Sequence, residues 1–122
     1  MGKWVANEVL DGALSVIASA TRMIALTGQP ASYGAAMAGR LAEANMAPSD
    51  FVVASGDVSG RKISVAPKND VAVTTAGSAD HVALVDTAAE RLLYVTTCPP
   101  QALTAGGSVN FAGWAVEIGA PV

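Results

Sequence analysis

"RKISVAPKNDVAVTTAGSADHVALVDTAAERLLYVTTC", residues 61–98, decides the fold class. RKISVA, DVAVTT, HVALVD and RLLYVTTC are short apolar runs rich in β-branched residues. Pro67 to Asp70, Ala76-Gly77-Ser78 and Thr87 to Glu90 separate them with turn-forming residues. Within the first run, Ile63 and Val65 alternate with Lys62 and Ser64. In the second, Val71 and Val73 face inward and Thr74 outward. Alternation with period two is the mark of a half-buried strand. RLLYVTTC is the strongest strand by residue type, with Leu92, Tyr94 and Thr96 opposite Leu93, Val95 and Thr97. Pro99-Pro100 is expected to end it, because proline cannot donate to a sheet ladder.

Toward the C-terminus, Gln101 to Thr104 reads as a short link or strand, and Ala105-Gly106-Gly107 as a turn. SVNFAGWAVEIG, residues 108–119, is expected to be one long strand with Phe111 and Trp114 on opposite faces. Toward the N-terminus, FVVAS (51–55) is a strand, and Gly56, Asp57 and Gly60 turn the chain. TRMIALTG (21–28) is the first strand. Residues 31–47 mix helix formers with Gly34, Gly39 and Asn45. They are expected to be irregular, with one helical turn and a short strand around Ala44 to Ala47. WVANEVLDGALSVIASAT (4–21) predicts a helix, since Val5, Val9, Leu10, Ala13, Leu14 and Ile17 recur at three- and four-residue spacing. Glu8 and Asp11 sit in its early turns, where negative charge suits the helix dipole.

Strands about ten residues apart, with the helix signal only at the start, argue against a βαβ fold. The expectation is an all-β protein: a jelly-roll-like β-sandwich with an N-terminal α-helix packed on one sheet or across its open end. Residues 1–122 would form a single domain, with 1–20 as arm and helix and 21–122 as the sandwich.

The 122 residues are 52% hydrophobic and only 14% charged, so part of the surface is suited to burial against a partner. The net charge is −3, and the seven basic residues are scattered. No basic run could follow a phosphate backbone, so no nucleic-acid partner is expected. No segment approaches the roughly 18 unbroken apolar residues of a membrane helix, so no membrane association is expected either. One cysteine forbids an intrachain disulfide, which fits folding in a reducing compartment, and no signal-peptide core follows the N-terminus.

Chemistry-bearing residues are few. His81 would need a carboxylate to orient it or a nucleophile to activate. Asp80 is its neighbour in sequence, but adjacent side chains of a strand point to opposite faces. His81 and Cys98 therefore read as sheet residues, not a catalytic pair. One His and one Cys cannot supply a zinc shell, and Asp57 and Asp70 lie outside any calcium-loop pattern. GDVSGRK lacks phosphate-loop spacing and reads as a hairpin turn. Neither enzymatic activity, cofactor nor metal is expected.

In order along the chain, WVANEVLDGAL, ATRMIALTGQPASY, SDFVVASGDVSGRKISVA, HVALVDTAAERLLYVTTC and QALTAGGSVNFAGWAVEI resemble a family of small tailed-bacteriophage virion proteins. These are similar to capsid cement or decoration proteins with a jelly-roll-like body. The resemblance spans nearly the whole chain as a pattern of strands and turns. It implies a structural protein made in the host cytoplasm that binds the outer surface of the capsid. Its partners would be the major capsid protein and symmetry-related copies of itself, and repetition over the lattice would multiply modest contacts. Under this resemblance the contact residues are Trp4 on the N-terminal arm, Tyr33 and Arg40 from the irregular segment, and Arg61. The competing readings are a tail, baseplate or spike component of the virion, a carbohydrate-binding β-sandwich, and, third, an enzyme using His81 and Cys98.

Overall fold

A computed structural model describes residues 2–121; Met1 and Val122, the ends of the expected domain, lie outside the described residues. The chain runs α1 (Asn7–Ile17), β1 (Arg22–Leu26), α2 (Tyr33–Ala38), β2 (Arg40–Asn45), β3 (Phe51–Ser55), β4 (Arg61–Val65), β5 (Lys68–Ala72), β6 (Gly77–Asp86), β7 (Arg91–Leu103), β8 (Ser108–Phe111) and β9 (Trp114–Ile118). A single 3-10 turn, Pro48–Asp50, precedes β3. The protein is mostly β, and every strand pairing is antiparallel. A four-stranded sheet has the order β2-β1-β6-β7, a three-stranded sheet β3-β4-β9, and β5 pairs with β8.

The four-stranded sheet is covered on both faces. On one, Met23, Ala25, Ala42, Ala44 and Leu84 join Ile63 and Val65 of β4, Val109 and Phe111 of β8, and Leu14 and Ile17 of α1 in the main core. On the other, Ile24, Leu26, Ala83 and Val85 pack under Ala36 of α2, with Tyr33, Met37, Leu92 and Val95 at the margin. Double-sided burial explains why MIAL and ALV are continuous apolar runs instead of alternating ones.

The helix is shorter than the spacing predicts. Its core stripe is Leu10, Leu14 and Ile17, three positions that share one face at 3.6 residues per turn. Residues 31–47 are more regular than expected. Ser32 Oγ accepts a hydrogen bond from Ala35 N and starts α2, and Arg40–Asn45 then forms a full strand against β1. Local propensity in this alanine-rich segment is overridden by the unpaired edge that β1 offers.

Four of the expected strand and turn positions also differ. β7 runs through Pro99-Pro100 to Leu103, because the register shifts between Ala79 and His81 while three residues, Cys98 to Pro100, intervene on the other side. The prolines occupy a bulge on an edge strand, where no ladder donor is required of them. The turn placed at Pro67 to Asp70 is likewise a bulge inside β5. There Asp70 adopts φ +56°, and its N–H donates to Asn110 Oδ1 at 2.9 Å. The single C-terminal strand is broken at Ala112-Gly113 into β8 and β9, which belong to different sheets. Gly77 opens β6 instead of turning, and a Cβ there would stand 3.1 Å from Leu41 Cδ1.

Candidate functional site

Trp4 lies on the extended segment before α1 and is 84% exposed. Val9 and Val16 of α1 are 62% and 46% exposed. On a helical projection they lie together to one side of the Leu10–Leu14–Ile17 stripe. The apolar arc of α1 is therefore wider than the face that the core uses. Val9 was expected among the core-facing residues and is not there. The signal in the sequence was that excess width, since Val5 and Val9 fall beside the core stripe and Val16 continues their row. Glu8, in the first turn of α1, is the charged residue nearest to Val9 in sequence. Large apolar side chains left out in this way mark a surface suited to a partner.

The other expected contact residues are more occupied. Arg61 Nε is 2.8 Å from Asp11 Oδ1, and its Nη2 is 3.4 Å from Oδ2, so the guanidinium joins β4 to α1. Arg40 Nη1 donates to Met37 O at 2.6 Å and its Nε lies 3.8 Å from Glu43. Tyr33 is half-buried against the cluster under α2. The structure does not bring Trp4, Tyr33, Arg40 and Arg61 into one described contact. Lys62 pairs with Asp57 at 2.7 Å and Lys68 with Asp50 at 2.9 Å, so much of the scattered positive charge is compensated within the chain.

His81 and Asp80 do meet, contrary to the alternation argument. His81 Nδ1 and Asp80 Oδ1 are 2.7 Å apart, and Gly28 N donates to the same oxygen at 2.8 Å. The register shift at this point of β6 removes the strict alternation that would keep neighbours on opposite faces. The His81 hydrogen bond, then that from Gly28, holds the Asp80 carboxyl below its usual range. Cys98 lies on the opposing bulge, with Sγ 4.0 Å from Ala79 O. Burial, and next the negative charge of Asp80, push its thiol upward. A reactive cysteine needs the opposite, a thiolate favoured by nearby positive charge. Among the described residues no three His, Cys, Asp or Glu side chains gather as a metal site.

A groove of about 420 Å³ runs between Thr96 to Pro99 of β7 and Asn110 to Ala115 of the β8–β9 corner. Tyr94 stacks on Trp114 at its side, with ring centroids 5.8 Å apart. Sequence reasoning missed it because it depends on the β7 bulge and the break between β8 and β9. Comparison with protein-family models, with curated proteins and with solved structures gave no match to this chain.

Proposed function

We propose that the chain is a structural virion protein that binds the outside of a tailed-phage capsid and stabilises it, as a cement or decoration protein. The body is then a jelly-roll-like β-sandwich, with the four-stranded sheet facing the β3-β4-β9 and β5-β8 sheets across the main core. The observation that carries the reading is the exposure of Trp4, Val9 and Val16, each left out of the core that α1 otherwise completes. Tryptophan is a frequent interface anchor. The scarcity of charge and the thiol character of Cys98 support a binding role instead of chemistry. The major capsid protein and symmetry mates are the partners, with assembly in the host cytoplasm and the capsid exterior as the final location. No cofactor, nucleic acid or membrane enters this reading.

Co-sedimentation of the purified chain with expanded shells that lack it tests the proposal. Binding is expected to fall at least tenfold on deletion of residues 1–4 or on Trp4→Ala, with the thermal midpoint unchanged. Equal binding by these variants would contradict the arm's role, and no binding by the intact chain would contradict the capsid reading.

A further inference from the structure

We infer that two copies of this chain pair edge to edge through β7, antiparallel, about a two-fold axis at Thr96. β7 is an outer strand of the four-stranded sheet. The direction of its free groups follows from the ladder. Met46 N donates to Thr21 O while Thr21 N turns to Val85 O of β6, so the carbonyl of Thr21 and the main chain of Met23 and Ala25 point to β2, and the main chain of Arg22, Ile24 and Leu26 to β6. Ile24 stands opposite Ala83, so Ala83 points back to β1, while Val82 and Leu84 point to β7. Their partners Thr96 and Tyr94 are thereby used. Val95 and Thr97 then direct N–H and C=O outward, and no described residue bonds to them.

The opposite edge of the same sheet is treated differently. Thr74 N and Thr75 N both donate to Leu41 O, and Val73 bridges Ala42, so a following segment closes β2. Natural edges are otherwise blunted with charge, proline or a bulge. On β7 a bulge at Leu93, where Leu84 pairs with Tyr94 and Val85 with Leu92, and a second at Cys98-Pro99-Pro100 bound a short stretch, and Tyr94 to Thr97 between them carries none of these devices.

A second copy fits this edge by symmetry and charge. A two-fold axis at Thr96 sets Val95 of each copy against Thr97 of the other, so every outward donor meets an acceptor. Thr96 faces its own counterpart, a favourable cross-strand pair. No charged side chain lies between Leu92 and Leu103, so no like charges meet across the paired stretch. The proline bulge limits slippage and ends the pairing, which makes a closed dimer and not a fibre. The inference is independent of the virion reading, although on a lattice the same contact would link neighbouring copies.

The test is sedimentation equilibrium from micromolar to millimolar chain, with amide hydrogen exchange on the same samples. The expected result is a concentration-dependent dimer in which the Val95 and Thr97 amides gain protection, while those of Tyr94 and Thr96 are protected throughout. Val95→Pro removes an outward donor and leaves the β6 ladder intact, so it should shift the equilibrium to monomer. Should that variant not fold, the alternating exchange pattern of the unmodified chain decides alone. A monomer at millimolar concentration, or a dimer with Val95 and Thr97 still exchanging freely, would overturn the inference.

Discussion

Arg61 and Asp11 form a two-point ion pair, Nε to Oδ1 at 2.8 Å and Nη2 to Oδ2 at 3.4 Å, that ties α1 to the first residue of β4. The helix lacks a side-chain N-cap and carries Gly12 at its middle, so it holds its place by docking. In the rotation that allows this pair, Leu10, Leu14 and Ile17 face the core and Val9 and Val16 do not. Both partners keep some contact with water, which limits the energy. A double-mutant cycle with Arg61→Ala and Asp11→Ala should give a coupling of about 0.5–1 kcal/mol by chemical denaturation. A coupling of zero would mean that packing alone positions the helix.

The two apolar rows of α1 should behave differently under truncation. Leu14 is fully buried, and Leu14→Ala should cost about 2–5 kcal/mol through lost burial and the cavity left behind. Val9→Ala, on the exposed row, should change stability by less than about 0.5 kcal/mol. Denaturant midpoints of the two variants check this. Equal costs would place Val9 in the core and remove the basis for a free apolar surface.

Asp50 predicts an acid-sensitive contribution to stability. Its carboxylate accepts from Ala47 N at 2.8 Å and pairs with Lys68 at 2.9 Å. The Ala47 hydrogen bond is the largest influence, and with Lys68 it outweighs desolvation to lower the pKa below 3.8. A carboxyl depressed in the folded state stabilises fully above its unfolded value and loses that contribution as pH falls through the folded value. Thermal midpoints from pH 7 down to pH 2 should therefore fall less steeply in Asp50→Asn than in the unmodified chain, below about pH 4. Parallel curves would show that this carboxyl has no differential role.

Cys98 should remain a thiol at neutral pH, since burial and the charge of Asp80 both disfavour the thiolate. Its alkylation by iodoacetamide at pH 7.5 should be slower than that of an unfolded control and rise on Asp80→Asn. The double variant His81→Ala, Cys98→Ala should still bind capsids. A loss of function with folding intact would restore the case for chemistry at this bulge.

Much of the strand content was legible because strand period and turn chemistry coincide, as in FVVAS, RKISVA and the turn at Gly60. There φ is +70° and a Cβ would lie 2.0 Å from Ile118 O. What was not legible depends on partners distant in sequence. β2 exists because β1 has an open edge, although its own residues favour helix. β7 continues through two prolines because a bulge opposite Asp80 absorbs them. That same shift brings Asp80 to His81 and defeats the alternation rule. Of the four expected contact residues, Trp4 is the one left largely exposed, outside the periodic stretch that forms α1. That Arg61 is occupied could not be read, because its partner Asp11 lies 50 residues away.

The proposed capsid role is tested by the copy number of the chain in purified particles, measured against the major capsid protein. A ratio near one is expected of a protein that coats the shell. A few copies per particle would move the role to a tail, vertex or spike, and absence from the particle would contradict the claim outright.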